Sequence, residues 1–101
     1  MKCSLEIVSG IYDGLFYEIE TFPIKIGRSD TNEIAIPLDD AASREHAELS
    51  YENNTVYIDD LKSTNSTYVN DQKIGDGLGK RNLNDGDMLR VGETYIKFNI
   101  I

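Results

Sequence analysis

The sequence predicts an all-β domain, a sandwich or a barrel. Three observations carry that reading. Apolar residues recur with period two along most of the chain. β-branched and aromatic residues fill many of those positions. Turn residues then cut the pattern into short pieces.

Taken in order, Leu5 and Ile7 flank Glu6 in a first strand, and Asp13-Gly14 supplies a turn. Ile24 and Ile26 flank Lys25, and Ile34 and Ile36 flank Ala35. Asp39 to His46 has helix-cap residues but no apolar face, so it reads as a loop with at most one turn. Ala47, Leu49 and Tyr51 alternate with Glu48 and Ser50. Glu52-Asn53-Asn54 turns the chain into Val56-Tyr57-Ile58. Residues 71–84 are polar and glycine-rich and read as one long surface connection. After Asp85-Gly86-Asp87, Leu89 and Val91 flank Arg90. Gly92-Glu93 then leads to a last strand in which Ile96, Phe98 and Ile100 alternate with Lys97 and Asn99. There is no repeat and no linker, so one domain over residues 1–101 is expected. A chain of this size buries about 65% of its extended surface on folding, enough for one core without staples.

Composition removes several functions. Lys and Arg total 10 against 18 Asp and Glu, for a net charge of −8. That field disfavours nucleic acid and anionic membranes, so any anion site must be a local positive pocket. The one cysteine, Cys3, excludes an internal disulfide and multi-cysteine zinc. It is expected to be a buried small hydrophobe. The one histidine, His46, excludes multi-histidine zinc. The apolar runs are too short to span a membrane, and the first 20 residues lack a signal-peptide pattern. The expectation is a cytoplasmic domain (nuclear if eukaryotic) with no metal and no cofactor.

Three polar segments interrupt the core pattern: Gly27-Arg28-Ser29-Asp30, Ala42-Ser43-Arg44-Glu45-His46 and Lys62-Ser63-Thr64-Asn65-Ser66-Thr67. In a sandwich, loops at one end converge and carry function. These supply two arginines, a lysine, hydroxyls and an amide, nearly all hydrogen-bond donors. Donors without a neighbouring carboxylate suit an anion, and the arginine fork matches phosphate or carboxylate. The competing reading is of solvated charges and ordinary turn residues.

Order and spacing decide between them. Ile26-Gly27-Arg28, then Asn32, Ile34 and Ile36, then Ser43-Arg44-Glu45-His46-Ala47, then Leu83, Gly86-Asp87, Leu89 and Gly92 closely resemble the motifs of a forkhead-associated (FHA) domain. Gly10 and Gly14 fall at that family's first hairpin. The resemblance implies a β-sandwich of about eleven short strands in two twisted sheets, with functional loops at one end. It implies a module that binds phosphothreonine peptides and does no chemistry. Carried over, Arg28 and Ser43 contact the phosphate, and Thr64 adds a hydroxyl or backbone donor. Asn65 holds the peptide backbone, Arg44 assists, and Gly27 and His46 support the site. The implied partner is a phosphothreonine-containing protein or peptide, a Ser/Thr kinase or its substrate. The runner-up is an assembly domain of the same fold that binds its partners without phosphate.

Departures from the family pattern carry expectations too. Ser66 stands where the family has glycine, and a positive φ there would cost energy. Ala41 replaces a basic residue that in some members selects an acidic side chain. The first strand starts by about Leu5, so a phosphorylatable N-terminal tail folded into the pocket is not expected.

Weaker signals fail on spacing or context. Gly77-Leu78-Gly79-Lys80-Arg81 lacks the phosphate-loop spacing. Ser43 and His46 could suggest a nucleophile and base but show no third orienting group. The pairs Asp39-Asp40, Asp59-Asp60 and Asp85-Gly86-Asp87 lack calcium-loop spacing and read as solvated turns.

Overall fold

The computed structural model describes residues 1–75 and 79–101. Among these, eleven strands form two sheets. They are β1 (Cys3–Ile7), β2 (Phe16–Ile19), β3 (Ile24–Gly27), β4 (Ile34–Ala35), β5 (Ala47–Glu52) and β6 (Thr55–Asp60), then β7 (Thr67–Val69), β8 (Gln72–Ile74), β9 (Arg81–Asn82), β10 (Met88–Val91) and β11 (Thr94–Ile100). One sheet runs β2-β1-β11-β10-β7-β8, the other β4-β3-β5-β6-β9. Pairing is antiparallel except between β3 and β4, where Ile26 faces Ile34 in parallel.

The period-two residues meet between the sheets. Leu5, Ile7, Ile26, Ile34, Leu49, Ile58, Leu89, Ile96 and Phe98 are fully buried, while Glu6 is exposed and Lys25 and Lys97 are partly so. Each such side chain contributes about 1.5–3 kcal/mol by leaving water. Register follows from this alternation, because a one-residue slip would turn the apolar face outward. Cys3 lies in the same core, and burial pushes its thiol up to about 11. Asn53 and Asn54 turn β5 into β6 with φ of 50° and 60°, the left-handed pair that a tight hairpin requires.

The stretch 71–84 corrects the sequence reading. It carries β8, β9 and the buried Leu83 instead of forming one loop. Asn70 and Asp71, at φ 50° and 66°, make a two-residue turn that folds β8 back on β7. The strand Gln72-Lys73-Ile74 buries only Ile74, so period two never shows in it. Of the phosphate-loop-like segment, Gly77 and Leu78 lie outside the described residues.

Candidate functional site

The three polar segments converge at one end of the sandwich. Past the end of β3, the Arg28 N–H donates to Ser43 O (2.9 Å) and the Ser29 N–H to Arg44 O (3.1 Å). This close approach explains Gly27: any Cβ there would run into the carbonyl of Arg44. Asn32 locks the pair of loops, its amide N–H groups donating to Ser29 O and Arg44 O at 2.7 Å each.

His46 is the brace beneath the site. It is fully buried, and both ring nitrogens are used. Nδ1 accepts from the Ser43 N–H at 2.9 Å, so Nε2 carries the proton and donates to Ser66 O at 2.8 Å. The ring thus ties the segment before β5 to the segment before β7. Ser66 does adopt a positive φ, 66°, so serine bears the cost that glycine would avoid.

Three aspartates read as solvated turns are anchors instead: Asp87, buried and accepting from the Asn70 amide (2.9 Å) and the Asn84 N–H (2.8 Å), and two that shape the site's loops. Asp39 is buried and accepts from the Ala41 N–H (3.0 Å), the Glu93 N–H (2.9 Å) and the Thr94 hydroxyl (2.6 Å). It pins the loop before β5 to the β10–β11 turn. Asp60 accepts from the hydroxyls of Ser63 (2.5 Å) and Thr67 (2.7 Å) and from the Ser63 N–H (3.2 Å). It shapes the loop that carries Thr64 and Asn65. Asp60 and Ser63 are three residues apart, a local turn signal that could have been read. Asp39 had no such signal, because Thr94 lies 55 residues away.

Above these braces lies an open cavity of about 420 Å³, lined by Arg28, Asp40, Ala41, Ala42, Ser43, Arg44, Glu45, Thr64 and Asn65. All five residues expected to bind are therefore brought together. Arg28 donates from Nε to Ala42 O (3.0 Å), and its terminal nitrogens have no partner among the described residues. The Ser43 Oγ accepts from the Thr64 N–H (3.1 Å), so its own proton remains to be donated. That bond uses the Thr64 backbone donor and leaves the Thr64 hydroxyl available. Asn65 donates one amide N–H to Ala41 O (2.9 Å) and keeps its carbonyl oxygen and second N–H. Two expectations fail here. Lys62 does not line the cavity, and lies beside Asp59 and Asp60 instead. Nor are carboxylates absent, since Asp40 and Glu45 are part of the wall.

Fold and cavity together define a β-sandwich recognition domain whose candidate binding groups all sit on loops at one end. The model of the FHA domain matches residues 24–92, and the chain belongs to that family. It is 32% identical over 93 residues to the FHA domain-containing protein FhaB of Mycobacterium tuberculosis. The match covers 92% of this chain and 57% of FhaB, so the chain spans little more than half of that relative. An FHA domain solved in a structural and functional analysis of phosphothreonine-dependent FHA domain interactions superposes with a TM-score of 0.86 at 28% identity, covering all of this chain and 98% of that one. EmbR of Mycobacterium tuberculosis in complex with a low affinity phosphopeptide gives 0.85 at 28% identity, over 98% of this chain and 24% of EmbR.

Proposed function

We propose that this chain is a single FHA domain that binds phosphothreonine-containing protein segments and so joins partners in a phosphorylation-dependent way, within Ser/Thr kinase signalling. One observation carries the reading: Arg28, whose terminal nitrogens have no partner among the described residues, lines one cavity with Arg44, Ser43 and Thr64, on loops tied together by hydrogen bonds. A phosphothreonine brings about −1.5 to −2 charge and three acceptor oxygens to such donors. A charge-assisted hydrogen bond contributes about 1.5–3 kcal/mol, so a few of them, less ordering costs, reach micromolar affinity, about −8 kcal/mol. Asn65 holds the backbone beside the phosphothreonine, and Gly27 and His46 support the loops. EmbR, solved in complex with a low affinity phosphopeptide, supports the same use of this fold.

The role is binding and not catalysis. His46 cannot take the Ser43 proton, because its Nδ1 is held by the Ser43 backbone N–H and its Nε2 by Ser66 O. The net charge of −8 argues against nucleic acid and anionic lipid as partners. No helix among the described residues is long and apolar enough to cross a membrane. The compartment that fits a kinase partner is the cytoplasm, or the nucleus in a eukaryote.

Paired calorimetric titrations with a phosphothreonine peptide library and its unphosphorylated twin test the reading. Binding that requires the phosphate is the expected result. Equal binding of both sets would place the protein instead among assembly domains that work without phosphate.

A further inference from the structure

Three carboxylates in or next to the cavity wall differ in how they are used. Asp39 is buried and saturated by three donors. Glu45 is paired with Lys25 at 3.3 Å. Asp40 is exposed, lines the cavity, and has no hydrogen bond or ion pair among the described residues. It has no such partner although Arg28 and Arg44 line the same cavity; the Nε of Arg28 is spent on the Ala42 carbonyl.

A phosphate dianion in the cavity would take up both guanidinium charges. Asp40 would then be left as an uncompensated negative charge on a chain whose net charge is already −8. A cation on the ligand would meet there an exposed carboxylate that has no protein partner among the described residues. The ligand's path brings it there: Asn65, which would hold the peptide backbone, is itself bonded to the carbonyl of Ala41, the residue next to Asp40. Adjacent Cα atoms are about 3.8 Å apart, within easy reach of a lysine or arginine near the phosphothreonine.

We infer that Asp40 makes the pocket select phosphothreonine segments that carry a lysine or arginine close to the phosphothreonine, and reject acidic ones; this inference rests on the phosphothreonine reading above. It turns Ala41 from a mere lack of acidic preference into part of a rim with the opposite preference.

The probe is an alanine-based phosphothreonine peptide with Lys, Ala or Glu placed at each flanking position in turn. Titrations use the whole chain and its Asp40→Asn, Asp40→Lys and Glu6→Gln variants, with melting curves to confirm folding. At one position or more, Lys should bind about threefold tighter than Ala, and Glu about threefold weaker, as for an exposed ion pair. The spread should shrink at high salt. Asp40→Asn should collapse it and Asp40→Lys should invert it. Glu6→Gln removes the same charge from an exposed position outside the cavity and should leave it intact. A flat scan in the parent, or a spread that survives Asp40→Asn, overturns the inference while phosphate dependence stands. A parent chain that binds the phosphothreonine and threonine forms of the peptide equally overturns the phosphothreonine reading, and this inference with it.

Discussion

In the two sheets, fully buried Leu5, Ile26, Leu49, Ile58, Leu89 and Phe98 pack in a single apolar cluster. At the loop end, His46 is a polar side chain buried just as completely, and Asp39 and Asn32 are buried too. Apolar packing is non-directional, so the core tolerates neighbours of similar size and shape. A polar brace is specific: each group has one named partner, and losing it strands the other in a place with little water. The difference separates three kinds of residue. If the proposed function holds, core residues set stability, rim residues set binding, and braces such as His46 set both.

Cutting the core should give the largest effect and leave recognition alone. Leu49→Ala empties a fully buried site in the middle of the β4-β3-β5-β6-β9 sheet. It should cost about 2–5 kcal/mol of stability. Protein that remains folded should bind phosphopeptide like the parent; a matching loss of affinity would blur the comparison. On the rim, Arg28→Ala should do the reverse. It should cost about 1.5–3 kcal/mol of phosphopeptide affinity through a lost charge-assisted bond. The melting temperature should hardly move, because an exposed loop charge supports little of the fold. Unchanged affinity would show that the phosphate sits elsewhere.

The brace should respond in both readouts. His46→Ala should lower stability by about 1–3 kcal/mol by leaving the Ser43 N–H and Ser66 carbonyl unpaired. Affinity should fall only as the loops loosen. A variant that melts like the parent yet binds nothing would make His46 a ligand contact. A finer probe is the phosphothreonine methyl group. Burying one methyl contributes about 0.8 kcal/mol, and a stiffer rotamer lowers the ordering cost. Phosphothreonine should therefore bind roughly tenfold tighter than phosphoserine in the same peptide, near 1.4 kcal/mol. Equal affinities would mean that the loop around Asn65 offers no methyl pocket. Smallest of all is Ser66→Gly. A left-handed φ costs a non-glycine residue about 1–2 kcal/mol, and glycine gives back about 0.5–1 in chain entropy. A net gain near 0.5 kcal/mol is expected in urea unfolding; a loss would mean that the serine side chain itself holds the loop.

The same contrast explains what the sequence revealed. Period-two alternation marked β1, β5, β6, β10 and β11, because each buries one face and wets the other. It could not mark β8 and β9, where three and two residues leave too little pattern. The residues that gather at the cavity were legible through the Gly27-Arg28 and Ser43-Arg44-x-His46 motifs. The aspartate supports were not, since an aspartate in a turn looks the same whether water or the Thr94 hydroxyl donates to it. Asp40 is exposed, as a solvated turn residue should be; its place in the cavity wall stayed hidden, because composition shows charges and only the fold shows which of them face the cavity.

The most direct test is residue-resolved. Amide chemical shifts of the whole chain should be followed while a phosphothreonine peptide, and separately its unphosphorylated form, is titrated in. The phosphorylated peptide should move the amides of Arg28, Ser43, Arg44, Thr64 and Asn65, and the unphosphorylated form should leave them still. Shifts gathered instead on the outer sheet face at Tyr68, Arg90 and Tyr95, or the same shifts with both peptides, would contradict a phosphate-dependent site at the loop end.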